Sequence, residues 1–148
     1  RALLMTKEVL SQYSDLQEEI KEVRKKIAKL QDDLEKIENG ESVIDTVSGG
    51  MGGTQHFKIE GVPYPEYGRK RTLLYSRMTT LQLLQDDLLE KTNDVEEFIA
   101  SLDDSRMRRI INFRFLENKS WLQTAYALGG KATADSVRME FERFFKKM

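Results

Sequence analysis

Apolar residues in the first part of the chain fall at Val9, Tyr13, Leu16, Ile20, Val23, Ile27, Leu30, Leu34 and Ile37. The spacings alternate between four and three residues, which is the 3.5-residue period of a coiled-coil seam. The remaining faces are mostly Glu, Lys, Asp and Gln. Thr6 suits the cap that opens a helix, and Asn39-Gly40 suits the left-handed stop that closes one. The pattern predicts one helix of about 32 residues, rising about 48 Å. A helix of that length cannot cover its own stripe, so something else must pack on it.

A second long amphipathic segment runs from about residue 70 to 99. Leu74, Met78, Leu81, Leu88, Val95 and Ile99 share one heptad frame, interrupted by Gln85 and Thr92. Leu73, Leu84, Leu89 and Phe98 widen the apolar stripe beyond a strict seam, which predicts more than one neighbour. The first helix, running antiparallel, is the expected partner, and a second copy of the chain would cover a further face. The connection at 40–69 contains the flexible run Ser48-Gly49-Gly50-Met51-Gly52-Gly53. No Lys-Ser or Lys-Thr follows these glycines, as a phosphate-cradling loop requires. Ser42–Val47 and His56–Glu60 are candidates for a short β-hairpin. Pro63-Tyr64-Pro65-Glu66-Tyr67-Gly68 reads as a stiff aromatic entry to the second helix.

Near Leu102 the period changes. Asp103-Asp104 supplies a carboxylate cap for a helix carrying Met107, Ile110, Ile111, Arg114 and Phe115, which Asn118-Lys119 ends. Ser120 caps a short helix from Trp121 to Leu128, with Trp121 and Ala125 directed to the core. Gly129-Gly130 breaks it, and Gly129 suits positive φ. Thr133 caps a last helix from Ala134 to about Lys147, whose buried stripe is Val137, Phe141 and Phe144 or Phe145. A short middle helix, a glycine turn and a basic last helix make a helix-turn-helix pattern. The expected fold is therefore mainly α: a long antiparallel helical hairpin over 5–100, then a three-helix helix-turn-helix domain over 101–148.

Charge sharpens this picture. The net charge is −1, but residues 101–148 carry 10 basic and 6 acidic side chains, and any polyanion contact is expected there. Cysteine is absent and His56 is the one histidine. Disulfides, thiolate metal sites and cysteine nucleophiles are thereby excluded, and a histidine-based nucleophile system or structural zinc site is disfavoured. The pairs Asp32-Asp33, Asp86-Asp87 and Asp103-Asp104 read as solvated helix faces. No enzyme activity, cofactor or metal is expected, and no run of about 18 apolar residues suggests a membrane span. Met5-Thr6-Lys7 reads as a natural start, leaving 1–4 as either native residues or an added remnant.

The C-terminal residues also carry a family resemblance. Arg114-Phe115-Leu116-Glu117-Asn118-Lys119-Ser120-Trp121, Ala125, Leu128-Gly129 and Ser136-Val137 together resemble the helix-turn-helix of sigma-70 region 4. The whole chain is similar to small phage proteins carrying such a module, among them regulators of the ArpU and RinA late-transcription type. The motif covers about 102–145. Thr124 stands where the family has an aliphatic residue, and Gly130-Lys131 lengthens the turn by two residues.

The resemblance implies a sequence-specific binder of double-stranded DNA, a phage transcriptional regulator working in the cytoplasm of a bacterial host cell. Its partners would be duplex DNA, further copies of itself, and RNA polymerase or a phage protein. Candidate DNA-contacting residues are Lys131, Thr133, Asp135, Ser136, Arg138, Met139 and Arg143. Ala134, Asp135, Arg138 and Met139 match the family's base-facing positions, and Arg138 is the strongest candidate because arginine engages guanine bidentately. Thr133 suits a phosphate at the helix start. Asp135 either reads a cytosine amine or caps the helix. Arg114 is open between pairing with Glu117, capping a carbonyl and reaching a phosphate. Arg106, Arg108 and Arg109 form a second basic cluster. Two competing functions stand beside this one: a DNA-packaging factor resembling a small terminase subunit, and a protein-binding factor aimed at host transcription machinery.

Overall fold

A computed structural model describes residues 4–40 and 64–148. It is mainly helical, and the described residues include no strand. Five α-helices follow in order: α1 (Lys7–Glu38), α2 (Tyr64–Ser101), α3 (Ser105–Ile111), α4 (Trp121–Leu128) and α5 (Ala134–Lys147). A π-helical turn, Asn112–Leu116, continues α3. No helix among the described residues is long and apolar enough to cross a membrane. The glycine run, His56 and the candidate β-hairpin lie outside the described residues.

Helix α1 matches its pattern closely. Tyr13, Leu16, Ile20, Val23, Ile27, Leu30, Leu34 and Ile37 are all buried. Thr6 Oγ1 accepts from the Val9 amide at 3.1 Å, satisfying a donor the first turn leaves open. At the other end Gly40 adopts φ 82°, and its amide bonds to Ile37 O at 3.0 Å. Helix α2 begins at Tyr64, six residues before the apolar pattern predicts. Pro65 sits in its first turn, where a missing amide hydrogen costs nothing and the fixed φ already fits. Gly68 is therefore helical, at a cost of about 1 kcal/mol relative to alanine.

The chain divides into two compact units, one of 1–19 with 85–148 and the other of 20–84. In the second unit, the two Asp33 carboxylate oxygens lie 3.4 Å from Lys29 Nζ and 3.3 Å from Lys70 Nζ. Asp33 is only 4% exposed. The expectation that it faces solvent is corrected: α1 buries it because two ammonium groups compensate its charge. Asp32, by contrast, is a surface residue paired with Lys36 at 3.2 Å. Further along, Tyr67 donates to the Glu38 carboxylate. Arg71 rests against the rings of Tyr67 and Tyr75 at 5.8 and 5.5 Å.

The first unit closes around one core. It contains Met107, Ile110, Ile111, Phe115, Ala125, Val137 and Phe141, together with Met5, Leu10, Tyr13 and Val95. The first turns of α1 and the last turns of α2 thus complete the core of the C-terminal helices. Leu10, 0% exposed, stands outside the four-three stripe. Its environment is set by these later helices, to which the local period of α1 gives no access. Tyr13 Oη and Thr92 Oγ1 share a hydrogen bond of 2.7 Å in the same unit.

Candidate nucleic-acid interface

Each C-terminal helix starts on a side-chain cap. Asp104 accepts from the amides of Arg106 and Met107 at 2.9 and 3.3 Å. Ser120 and Gln123 form a reciprocal capping box at α4, and Thr133 and Ser136 form another at α5. Between α4 and α5, Gly129 adopts φ 78° and ψ −167°, and Gly130 adopts φ 66°. Side chains avoid both conformations, so this turn is defined by its glycines. Val137 and Phe141 anchor α5 from below. Trp121 fills the space between the π-helical turn and α5, with ring centroids 6.3 Å from Phe115 and 5.3 Å from Phe141.

At 100° per residue, the side of α5 opposite Val137 and Phe141 carries Asp135, Met139, Arg143 and Lys146. All four are exposed. Lys131 is exposed in the turn before the helix. Thr133 and Ser136 are also on the surface, but their hydroxyls serve the cap: Ser136 Oγ lies 2.9 Å from Thr133 N and 3.1 Å from Thr133 O. Arg138 lies on the flank of α5, with a guanidinium nitrogen 4.0 Å from Asp135. It lines a groove of about 620 Å³ with Lys7, Met139, Glu142, Arg143, Phe145 and Lys146.

Lys7 is the member that no local pattern of residues marks. Its ammonium lies 2.6 Å from Glu142 Oε1, across 135 positions of chain. The hydrogen bond and the attraction between them raise the Lys7 pKa and lower that of Glu142. Further contacts tie α1 to the turn before α4. Ser14 donates to Asn118 Oδ1 at 2.6 Å, and Asn118 donates in turn to Glu18. Asn118 holds φ 53°, a left-handed value that asparagine tolerates better than most residues.

The remaining arginines have defined neighbours. Arg106 pairs with Glu140 at 2.8 Å, and that bond raises its pKa. Arg108 donates to Leu102 O at 2.5 Å. Arg109 lies over the Phe113 ring at 5.7 Å. The second basic cluster is thus largely engaged within the protein. Arg114 does not pair with Glu117, whose carboxylate meets Asn112 at 3.1 Å and Lys119 at 3.5 Å. It stacks instead against Phe115 and Trp121 at 5.1 and 5.2 Å. Burial lowers its pKa, and its Nε is buried without a hydrogen-bond partner.

Among the described residues, no group of three or more acidic, histidine or cysteine side chains is arranged to hold a metal. No protein-family model matches the chain, and no curated protein or solved structure matches it.

Proposed function

We propose that the protein is a sequence-specific double-stranded DNA-binding protein, a phage transcriptional regulator with a sigma-70 region 4-like helix-turn-helix formed by α3, α4 and α5. The observation that carries this reading is α5 itself. It is capped by Thr133, introduced by a two-glycine turn and anchored by Val137 and Phe141, and it turns Asp135, Met139, Arg143 and Lys146 outward. A recognition helix presents its N-terminal residues to base edges in the major groove. Asp135 and Met139 occupy that position, Arg143 and Lys146 extend the contact to phosphates, and Lys131 approaches the backbone from the turn. The Thr133 and Ser136 hydroxyls fix the helix start, leaving backbone amides to meet phosphate.

In the same proposal α1 and α2 form an antiparallel helical hairpin through which copies associate. Within unit 20–84, Asp33 meets Lys70 and the later Glu38 meets the earlier Tyr67, an order that supports opposed directions. Leu73, Tyr75, Met78 and Leu83 of α2 are exposed and supply apolar surface for a second copy. Pairing two modestly basic modules multiplies their affinity for DNA.

Fluorescence titration of duplex DNA tests this function. Arg143→Ala and Lys131→Ala are each expected to weaken binding and flatten its salt dependence on folded protein. Unchanged affinity in both would remove α5 as the DNA-contacting element. A second reading, docking to a protein of the transcription machinery, draws on α4. Leu122 and Tyr126 stand one turn apart there, 70% and 89% exposed. Loss of partner capture on Tyr126→Ser, with DNA binding absent in the parent, would favour it.

A further inference from the structure

The groove beside α5 concentrates charge of one sign. Lys7, Arg138, Arg143 and Lys146 face a single carboxylate, Glu142, within its walls. Arg143 and Lys146 enter no ion pair among the described residues. Lys7 gives one of its three donors to Glu142, which leaves two for a ligand. Phe145 and Met139 add apolar wall to the same groove, and apolar surroundings strengthen charged hydrogen bonds. Met139 and Arg143 belong both to this groove and to the outward face of α5. A duplex lying on that face would therefore bring its backbone to the groove.

We infer that the groove seats a DNA backbone phosphate, and that Lys7, from the first turn of α1, is one of its direct contacts. The inference rests on the DNA-binding reading and adds to it. Affinity is not confined to the C-terminal third but extends to a residue at the start of α1. Lys7 and Glu142 are joined in the free protein, and the phosphate completes the donor capacity of the ammonium. Since the contact is to phosphate, it is indifferent to sequence. Seating α1 against α5 thereby becomes part of how the protein holds DNA.

The test measures binding of a random-sequence duplex to the full chain by fluorescence anisotropy over a range of salt. Loss of one phosphate contact lowers the log–log salt slope by about 0.9, so over a fourfold rise in salt the affinity of Lys7→Ala should fall about 3.5-fold less than that of the parent. Lys7→Arg should retain the parental slope. The double variant Lys7→Ala/Glu142→Gln separates contact from neutralisation. If Lys7 touches phosphate, the double variant keeps the flattened slope. If Lys7 only masks Glu142, the double variant recovers parental affinity and slope, and the inference is overturned. Parental slope in Lys7→Ala overturns it too, while leaving DNA binding through α5 intact. A parent that binds no duplex overturns both. Tighter binding of poly-glutamate than of duplex at equal salt, lost in Lys7→Ala, assigns the groove to an acidic protein and also overturns the inference. Matching circular-dichroism spectra establish that each variant is folded.

Discussion

Thr124 is 0% exposed, and its Oγ1 has no hydrogen-bond partner. Its backbone is regular, with the amide bonded to Ser120 O at 2.8 Å, so the defect lies in the hydroxyl alone. An unpaired buried hydroxyl costs about 1–3 kcal/mol. Valine has the same branched shape, leaves no cavity and has a similar helix propensity. Its second methyl group occupies the space of the hydroxyl and contributes apolar burial worth up to about 0.8 kcal/mol. Thr124→Val should therefore stabilise the protein by about 1–2 kcal/mol, the low part of the combined range, since neighbouring atoms adjust to a slightly larger group. At this chain length that raises Tm by about 3–6 °C. Urea unfolding followed by Trp121 fluorescence and by circular dichroism would register the gain as a higher midpoint with unchanged slope. Thr124→Ser, which keeps the hydroxyl and drops the methyl, should lower the midpoint. A valine variant less stable than the parent would refute the reasoning, since it would mean that the hydroxyl makes a bond worth more than its burial costs.

Leu10→Ala should cost about 3–5 kcal/mol and shift the Trp121 fluorescence transition, because α1 supplies that side chain to the core of the C-terminal helices; a neutral result would remove α1 from this core. Gly129→Ala should cost about 1–3 kcal/mol from backbone strain alone, because a Cβ there meets no atom within 4 Å; chemical denaturation measures it. The Glu38 carboxylate raises the Tyr67 pKa above its ordinary 10.0, so this bond contributes stability below pH 10 that is lost as pH rises through the raised value. An ultraviolet tyrosinate titration should show a late-ionising phenol that Tyr67→Phe abolishes.

The repeat from Val9 to Ile37 was legible because a long helix with one buried stripe imposes its period on the sequence, and eight of its nine positions are buried. The caps at Thr6, Asp104, Ser120 and Thr133 were legible for a similar reason. A hydroxyl or carboxylate placed just before an apolar run satisfies amides within three residues of itself. Features fixed by distant chain were not legible. Leu10 is buried by helices nearly a hundred residues later, Asp33 is neutralised by Lys70, and Lys7 is drawn to Glu142. The π-helical turn at Asn112–Leu116 also left no mark in the apolar spacing. At the candidate interface, the outward placement of Asp135, Met139 and Arg143 followed from the position of Val137 and Phe141. The flank position of Arg138 became visible only with Lys7 beside it.

Selection from a random duplex library by the 148-residue chain tests the central claim most directly. DNA reading through α5 predicts that successive rounds converge on one short sequence, and that Met139→Ala or Asp135→Ala weakens the selected duplex more than a random one. A library that stays unenriched against a protein-free control, with the protein folded, would contradict sequence-specific DNA binding.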